Sequence, residues 1–196
     1  MDTTTGLRER KKAATREAVH EAALRLTVEH GFDKVTVEAI ADAAGISRRT
    51  FSNYFSGKED AVLFGDEQQT GLLLQALRER PPGEPAWSAL RSAVKCLLSG
   101  KEATPIQRDW AMRSRLALRH PSLLARQLAN RVALEREIAH LLAGRPGTEQ
   151  VAPEVLSAMF LTSLRLATTA WINEEQNRPL PELLEHYFDQ TARSFC

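Results

Sequence analysis

The stretch that decides the fold runs from Thr36 to Lys58 and reads TVEAIADAAGISRRTFSNYFSGK. Within it, four apolar side chains recur at i, i+3, i+4 and i+7, which places them on one face of a short helix. These are Val37, Ile40, Ala41 and Ala44. Gly45 follows, and glycine takes the positive φ of a sharp turn without a Cβ clash. The stretch therefore predicts a helix, a tight turn and a second short helix.

Polar residues indicate where these two helices begin and which side of the second one faces solvent. Thr36 and Ser47 each precede a helix and can accept a hydrogen bond from an early backbone N–H as N-caps. Phe51 and Phe55 lie four residues apart in the second helix, so both point inward, with Tyr54 at their edge. The opposite face is rich in hydrogen-bond donors: Arg48, Arg49, Ser52 and Asn53.

This donor-rich face suits the major groove of DNA. A groove about 12 Å wide admits an α-helix, and in it Arg reads guanine and Asn reads adenine through paired hydrogen bonds. Two short helices with arginines on a wet face are also compatible with an ordinary surface, but we favour DNA binding. The predicted base contacts are Arg48, Arg49, Ser52 and Asn53. The other predicted DNA-binding residues, which contact phosphates or begin the reading helix, are Thr36, Ser47, Thr50, Tyr54 and Lys58.

The same residues resemble the DNA-binding domain of the tetracycline-repressor (TetR-type) family of bacterial transcription regulators. The resemblance follows TVEAIADAAGISRRTFSNYFSGKEDAV and covers the N-terminal third of the chain. Its fixed points are Gly45, Thr50-Phe51, Tyr54-Phe55 and Lys58-Glu59. Membership would imply an all-helical homodimer whose larger C-terminal domain binds a small effector.

Composition narrows the classes of protein. The 196 residues carry a formal net charge of +1, so DNA affinity has to come from local patches. Cys96 and Cys196 are too few and too far apart for a disulfide scaffold or a metal site, which favours the cytoplasm. No signal peptide is visible, and the apolar segment from Val155 to Ile172 is interrupted by Arg165. We therefore expect a soluble cytoplasmic protein without a membrane partner.

Prolines and turn residues outline the remaining helices. Five prolines precede helical patterns, as is typical of the first helical position, and predict helices over about 85–99, 105–119, 121–143, 153–176 and 181–194. Gly31 ends an earlier helix, and a Ser-x-x-Glu capping box at Ser56 begins one that runs to about Arg80. The segment 144–150 is predicted to be a flexible loop.

No strand-like alternation occurs, so the predicted fold class is all-α. A three-helix helix-turn-helix domain occupies residues 1–56, and a larger helical domain for effector binding and dimerisation occupies 57–196. The first helix begins with a basic cluster that either contacts DNA phosphates or is simply a solvated terminus. The cluster comprises Arg8, Arg10, Lys11, Lys12 and Arg16.

The last two predicted helices carry more apolar residues than one buried face requires. An amphipathic helix needs a single apolar face, so a second one is buried inside the domain or covered by a partner. We favour a homodimer, in which these helices form a four-helix bundle across a two-fold axis. The predicted interface residues are Leu156, Met159, Leu184, Phe188 and Phe195. A fully buried helix in a monomer is the alternative.

No catalytic constellation is present in the sequence. The five histidines are scattered, and neither a glycine-rich phosphate loop nor a Gly-x-Ser-x-Gly motif occurs. We therefore expect no enzyme, cofactor or metal. A ligand pocket is predicted from Trp87, Trp110, Arg113, Phe160, Leu164 and Arg165, although apolar residues at such spacings more often form plain core. Arg165 interrupts an apolar helix, where a buried charge needs a protein carboxylate or an anionic ligand.

A second resemblance concerns the C-terminal part. RSRLALRHPSLLARQLANRVALEREIAHLLA at 113–143, Trp171 and PLPELLEHYFD at 179–189 resemble regulators tied to mycofactocin biosynthesis and related acyl-CoA-responsive repressors. This resemblance implies an acyl-chain tunnel with arginines at its mouth, although arginines on an ordinary helix surface would give the same sequence. The predicted function is a homodimeric repressor of a palindromic double-stranded operator, released by a small effector such as an acyl-CoA. A helical interaction module without DNA binding, or a small-molecule enzyme, is the alternative.

Overall fold

The computed structural model describes residues 3–98, 103–173 and 178–193. Within these ranges the regular elements are all helical, which confirms the predicted fold class. In chain order they are α1 (Thr3–His30), a 3-10 turn (Phe32–Lys34), α2 (Val37–Ala43), α3 (Arg48–Ser52), α4 (Lys58–Arg78), α5 (Ala86–Leu98), α6 (Ala103–Arg119), α7 (Pro121–Leu142), α8 (Pro153–Asn173) and α9 (Leu180–Ala192).

Local sequence signals account for most helix ends. Pro121 and Pro153 are the first residues of α7 and α8, where a missing N–H costs nothing. Gly31, at φ +82°, ends α1 as predicted. The capping box predicted at Ser56 does not form, because α4 begins at Lys58, one residue later than a Ser56 cap requires. Ser56 instead donates its N–H and its hydroxyl to the carboxylate of Asp60.

The chain forms two compact units. We call Met1–Glu67 together with Leu116–Arg126 the N-terminal unit, and Gln68–Arg115 together with Gln127–Cys196 the C-terminal unit. The N-terminal unit extends past residue 56 and contains a second segment that local sequence patterns do not assign to it. The domain division at 56 and 57 stays a prediction.

The N-terminal unit encloses its own apolar core. Side chains from α1, the 3-10 turn, α2, α3 and the first turns of α4 pack together, and the junction between α6 and α7 completes the cluster. Its largest fully buried members are Phe32, Phe51, Ile40, Leu63 and Leu123. The core that supports the predicted recognition helix therefore includes residues from far along the sequence.

The C-terminal unit has a separate core built by α5, α8 and α9 with residues of α4, α6 and α7. Phe160 and Phe188 stack with ring centroids 5.4 Å apart, and Trp87 meets Phe188 edge-on at 5.8 Å. Arg91 on α5 reaches Glu185 and Asp189 on α9. Partial burial lowers the pKa of Arg91, but its hydrogen bonds to the two carboxylates outweigh this and the net shift is upward.

The segment predicted to be a flexible loop contains a buried charge. Arg145 is 8% exposed and donates to the carbonyl oxygens of Leu77, Arg80 and Pro81, and to that of Leu141 in the last turn of α7. The last carbonyls of a helix have no partner within it, so Arg145 caps the C-terminal end of α4. These hydrogen bonds hold the segment 144–150 against the end of α4.

Candidate functional site

The helix-turn-helix forms with both predicted N-caps. The Ala39 N–H donates to Thr36 Oγ1 at 3.1 Å, and the Thr50 N–H donates to Ser47 Oγ at 3.1 Å. The hydroxyls of Ser47 and Thr50 also lie 2.8 Å apart. Gly45 takes φ +67° in the turn, as predicted. The contacts of these hydroxyls with DNA stay predictions, and each already has a partner inside the chain.

The two faces of α3 differ as the sequence predicts. Phe51 and Phe55 are buried with ring centroids 5.6 Å apart, and Tyr54 is half-buried beside them. The helix itself is shorter than its pattern indicates, since Asn53 is already the C-cap. The four predicted base-contacting residues are exposed: Arg48, Arg49, Ser52 and Asn53.

An acidic residue that sequence reasoning missed lies beside this face. Glu38, in the first turn of α2, accepts from Arg48 with an N–O distance of 3.0 Å, and both side chains are more than half exposed. A surface ion pair of this kind contributes little to stability. Arg49, the other arginine of α3, forms no ion pair among the described residues.

Lys58 has a structural role that its sequence position did not reveal. Its ammonium group donates to the carbonyl oxygens of Phe32 at 2.9 Å and Val35 at 3.0 Å, and it lies 4.3 Å from the centroid of the Phe32 ring. Two of its three N–H bonds are therefore used inside the N-terminal unit. One N–H of Lys58 remains to donate to a phosphate, the contact that the sequence predicts.

Only part of the basic cluster of α1 is free to attract phosphates. Arg16 lies 4.3 Å from the centroid of the Phe64 ring and pairs with Glu67 at 2.6 Å, so it is a structural residue of the N-terminal unit. The remaining four cations are exposed on α1: Arg8, Arg10, Lys11 and Lys12.

The two arginines among the candidate ligand residues differ in burial. Arg165 is exposed, so the prediction of a buried charge on α8 was wrong. Thr162 and Arg165 lie one turn apart on α8 and are both exposed. Arg113 on α6, in contrast, is 1% exposed. The C-terminal unit therefore buries a guanidinium on α6 in addition to that of Arg145.

The other ligand candidates belong to the core of the C-terminal unit. Phe160 is fully buried, whereas Trp87, Trp110 and Leu164 are half-buried against the same cluster. Trp87 also lines a shallow hollow of about 300 Å³ whose walls belong to α5 and α9. Its other lining residues are Ser88, Arg91, Ser92, Lys95 and Glu185. The pocket prediction for these residues stays open.

The predicted dimer-interface residues differ in their exposure within the chain, and the interface itself stays a prediction. Leu156, Leu184 and Phe188 are buried within the core of their own chain, so they offer no surface to a partner. Met159 is half-buried, and Phe195 lies outside the described residues. Exposed apolar side chains are found instead on α7 and α8 of the C-terminal unit: Leu128, Val132, Val155 and Leu166.

An interhelical hydrogen bond joins these two helices. Arg131 on α7 donates to the Thr162 hydroxyl on α8 at 3.0 Å. Burial, followed by repulsion from Arg165, lowers the pKa of the Arg131 guanidinium from its ordinary value. We define the α7–α8 face by six residues of these helices: Leu128, Arg131 and Val132 of α7 and Thr162, Arg165 and Leu166 of α8.

One helix of the described part of the chain has the length and composition of a membrane span. α8 is long and apolar enough to cross a membrane by length and composition, but such a helix is weak evidence, since core helices pass the same criterion. No group of three or more His, Cys, Asp or Glu side chains within residues 3–98, 103–173 and 178–193 could hold a metal ion.

Comparison with known families assigns both ends of the chain. The family of bacterial regulatory proteins of the tetR type matches residues 20–63, which contain the helix-turn-helix. The family described as the MftR C-terminal domain matches residues 84–196. Both resemblances noted in the sequence are thereby confirmed.

Individual relatives are also transcription regulators. The HTH-type transcriptional regulator TcmR of Streptomyces glaucescens is 31% identical, over 85% of this chain and 76% of its own length. The regulator MftR of Mycobacterium tuberculosis, named for mycofactocin biosynthesis, is 30% identical over 92% of this chain and 90% of its own. The TetR-family repressor FadR of Thermus thermophilus, solved with lauroyl-CoA, has a TM-score of 0.63 at 26% identity and covers 90% of this chain and 93% of its own.

Proposed function

This chain belongs to the tetR family of bacterial regulatory proteins, and from that premise we propose that it is a homodimeric repressor of a palindromic operator, released by a small effector. The family consists of transcription regulators, so we propose no enzymatic activity, and we place the protein in the cytoplasm. The observation that carries the proposal is the outer face of α3. Arg49, Ser52 and Asn53 are exposed there, while the inner aromatic residues and caps are satisfied within the N-terminal unit.

An acyl-CoA is the effector class that the comparisons support. The FadR structure contains lauroyl-CoA, and the C-terminal residues match the MftR domain. We propose that the half-buried Trp87, Trp110 and Leu164, with the buried Phe160, surround the acyl chain, and that Arg113 is the cation nearest to its anionic part. Arg165 is exposed and is not included.

The test begins without assuming an operator. The protein selects duplexes from a random-sequence library, and fluorescence anisotropy then measures binding to the selected duplex and to DNA upstream of its own gene, at two salt concentrations. Enrichment of an inverted repeat and its release by lauroyl-CoA or another acyl-CoA would support the whole proposal. If no acyl-CoA releases the DNA, the proposed effector class is wrong. If the protein enriches no sequence, a helical interaction module is favoured over a DNA-binding regulator.

Arg49→Ala is expected to weaken binding to the selected operator by about 1.5 kcal/mol, because Arg bonded to a guanine edge carries both affinity and specificity. Binding to unrelated duplex should change much less. Arg136→Ala removes the same charge from an exposed position on α7 and serves as the matched control. Equal weakening on both duplexes would show that Arg49 contacts phosphate, contrary to the prediction.

The homodimer needs a surface, and the α7–α8 face is the one we propose. Leu128 and Val132 are about half exposed one turn apart on α7, and Leu166 is 39% exposed on α8. The Arg131–Thr162 hydrogen bond makes the two helices neighbours, so these side chains belong to one surface. Members of this family dimerise, and apolar exposure of this kind marks association sites.

Leu166→Glu is expected to raise the dimer dissociation constant about tenfold or more, because the interface would have to bury a charge. Light scattering or sedimentation over a dilution series measures it, with helical content checked by circular dichroism. Leu118→Glu, at an equally large exposed leucine of α6 in the N-terminal unit, is the control. If both variants dissociate as the wild type does, the dimer uses another surface.

A further inference from the structure

The junction between α6 and α7 is part of the N-terminal unit. We call Leu116–Arg126 the corner. Ala117 and Leu123 are almost fully buried, and they belong to the same apolar cluster as Phe51 and Phe55 of the helix-turn-helix. The corner therefore completes the core on which the recognition helix rests.

Two polar contacts fix the corner in place. Arg126 pairs with Asp60, with a distance of 2.5 Å between Nε and Oδ1. The other oxygen of Asp60 accepts from the backbone N–H of Ser56 at 3.2 Å and from its hydroxyl. Asp60 thus bonds Arg126 of α7 on one side and the residue after Phe55 on the other.

The burial of this pair makes it more than a surface contact. The Asp60 side chain is only 17% exposed, and it accepts from three donors, whereas Arg126 is 46% exposed. Charge-assisted hydrogen bonds to a partly desolvated carboxylate are stronger and more directional than an exposed ion pair. The position of Ser56 is therefore tied to that of Arg126.

The corner also contacts the loop between α1 and α2. The His120 ring lies 5.1 Å from the Phe32 ring between centroids, and its Nδ1 is 3.4 Å from Asp33 Oδ1. Phe32 is the ring above which Lys58 is held. The corner is therefore anchored to the N-terminal unit at two places, Phe32 and Asp60.

The same two helices continue into the C-terminal unit. Arg113, buried there, precedes Ala117 by one turn of α6, and Gln127 follows Arg126 directly on α7. A displacement of either helix along its length would be passed to the corner, because helices transmit axial shifts over several turns.

We propose that the corner sets the position of the segment that follows the recognition helix, with Arg126 acting through Asp60 on Ser56 as a positioning residue for operator binding. The inference rests on the proposed DNA-binding function. It adds a route from α6 and α7 to the recognition helix that does not require a residue of the corner to touch DNA.

The experiment compares Arg126→Gln, Asp60→Asn and the double variant in the full-length protein. Binding to the operator selected by the wild type should fall about fivefold for Arg126→Gln and about tenfold for Asp60→Asn, while binding to unrelated duplex stays within twofold. The double variant should match Asp60→Asn, because the two residues act in series. Arg119→Gln removes a charge from an exposed position of the same corner and should bind as the wild type does.

Amide hydrogen exchange gives a readout that needs no DNA. The amides of Phe55 and Ser56 should exchange faster in Arg126→Gln, while those of Val19 and Ala23 in the core keep their protection. Unchanged exchange at Ser56, additive losses in the double variant, or faster exchange throughout the unit would each overturn the proposal. If the wild type selects no operator, the DNA-binding function fails, and the exchange measurement still decides whether Arg126 positions Ser56.

Discussion

Replacing Arg145 with leucine is expected to lower the free energy of unfolding by about 3 kcal/mol. The buried guanidinium donates to four carbonyl oxygens, and three of them belong to the end of α4 and the residues just after it, Leu77, Arg80 and Pro81. Leucine occupies similar space but donates nothing, so these carbonyls would lose the guanidinium away from water, while those of Leu77 and Pro81 keep the backbone N–H groups of Arg80 and Glu84. A buried polar group left without a hydrogen bond costs roughly 1–3 kcal/mol.

Urea unfolding followed by far-ultraviolet circular dichroism measures this loss. The protein concentration has to be held fixed, because association with a second copy shifts the midpoint. Arg136→Leu, at an exposed position of α7, should change stability by no more than about 0.5 kcal/mol. Arg145→Lys should lie between the two, since an ammonium group cannot span the same set of carbonyls. A loss below about 1 kcal/mol in Arg145→Leu would mean that water replaces the guanidinium.

The features that the sequence predicted correctly depend on short stretches of chain. The N-caps Thr36 and Ser47, the positive φ of Gly45 and the inward pair Phe51 and Phe55 each involve residues no more than four positions apart. Proline at a first helical position is equally local. Such signals fix the helices and the helix-turn-helix before any long-range packing is considered.

The arginines show where this kind of reasoning stops. Arg165 lies in an apolar helix and is exposed, whereas Arg113 lies in a helix with many charged residues and is buried. Position on the helix accounts for the difference, because Arg113 is one turn from the buried Ala117, while Arg165 is one turn from the exposed Thr162.

The residues that sequence reasoning missed make contacts across long sequence separations. Arg126 meets Asp60, His120 meets Asp33, and Arg145 meets the end of α4. No local pattern distinguishes these side chains from other charged residues on helices. The burial of Leu156, Leu184 and Phe188 within their own chain was equally hard to predict, since an apolar side chain looks the same in a sequence whether its own chain or a partner covers it.

Lys58→Met is expected to lower the free energy of unfolding by about 3 kcal/mol and to leave the salt dependence of operator binding unchanged. Methionine retains the length of the side chain, but the carbonyls of Phe32 and Val35 lose the ammonium group, and the Phe32 ring loses its cation, while the Phe32 carbonyl keeps the Val35 N–H. Urea unfolding measures the first effect. Anisotropy at four or more salt concentrations measures the second.

The salt slope separates the structural role of Lys58 from the predicted contact with phosphate. A lysine that neutralises a phosphate contributes about one unit to the slope of log K against log salt, and a lysine bound to internal carbonyls contributes none. Lys34→Met is the matched control, because Lys34 is exposed and adjacent to Val35, and it should alter stability little. A fall of one unit in slope with stability unchanged would contradict the structural role. A fall in both would show that the third N–H of Lys58 reaches DNA while the other two hold the loop between α1 and α2, so that one side chain couples the fold of the N-terminal unit to its contact with the operator.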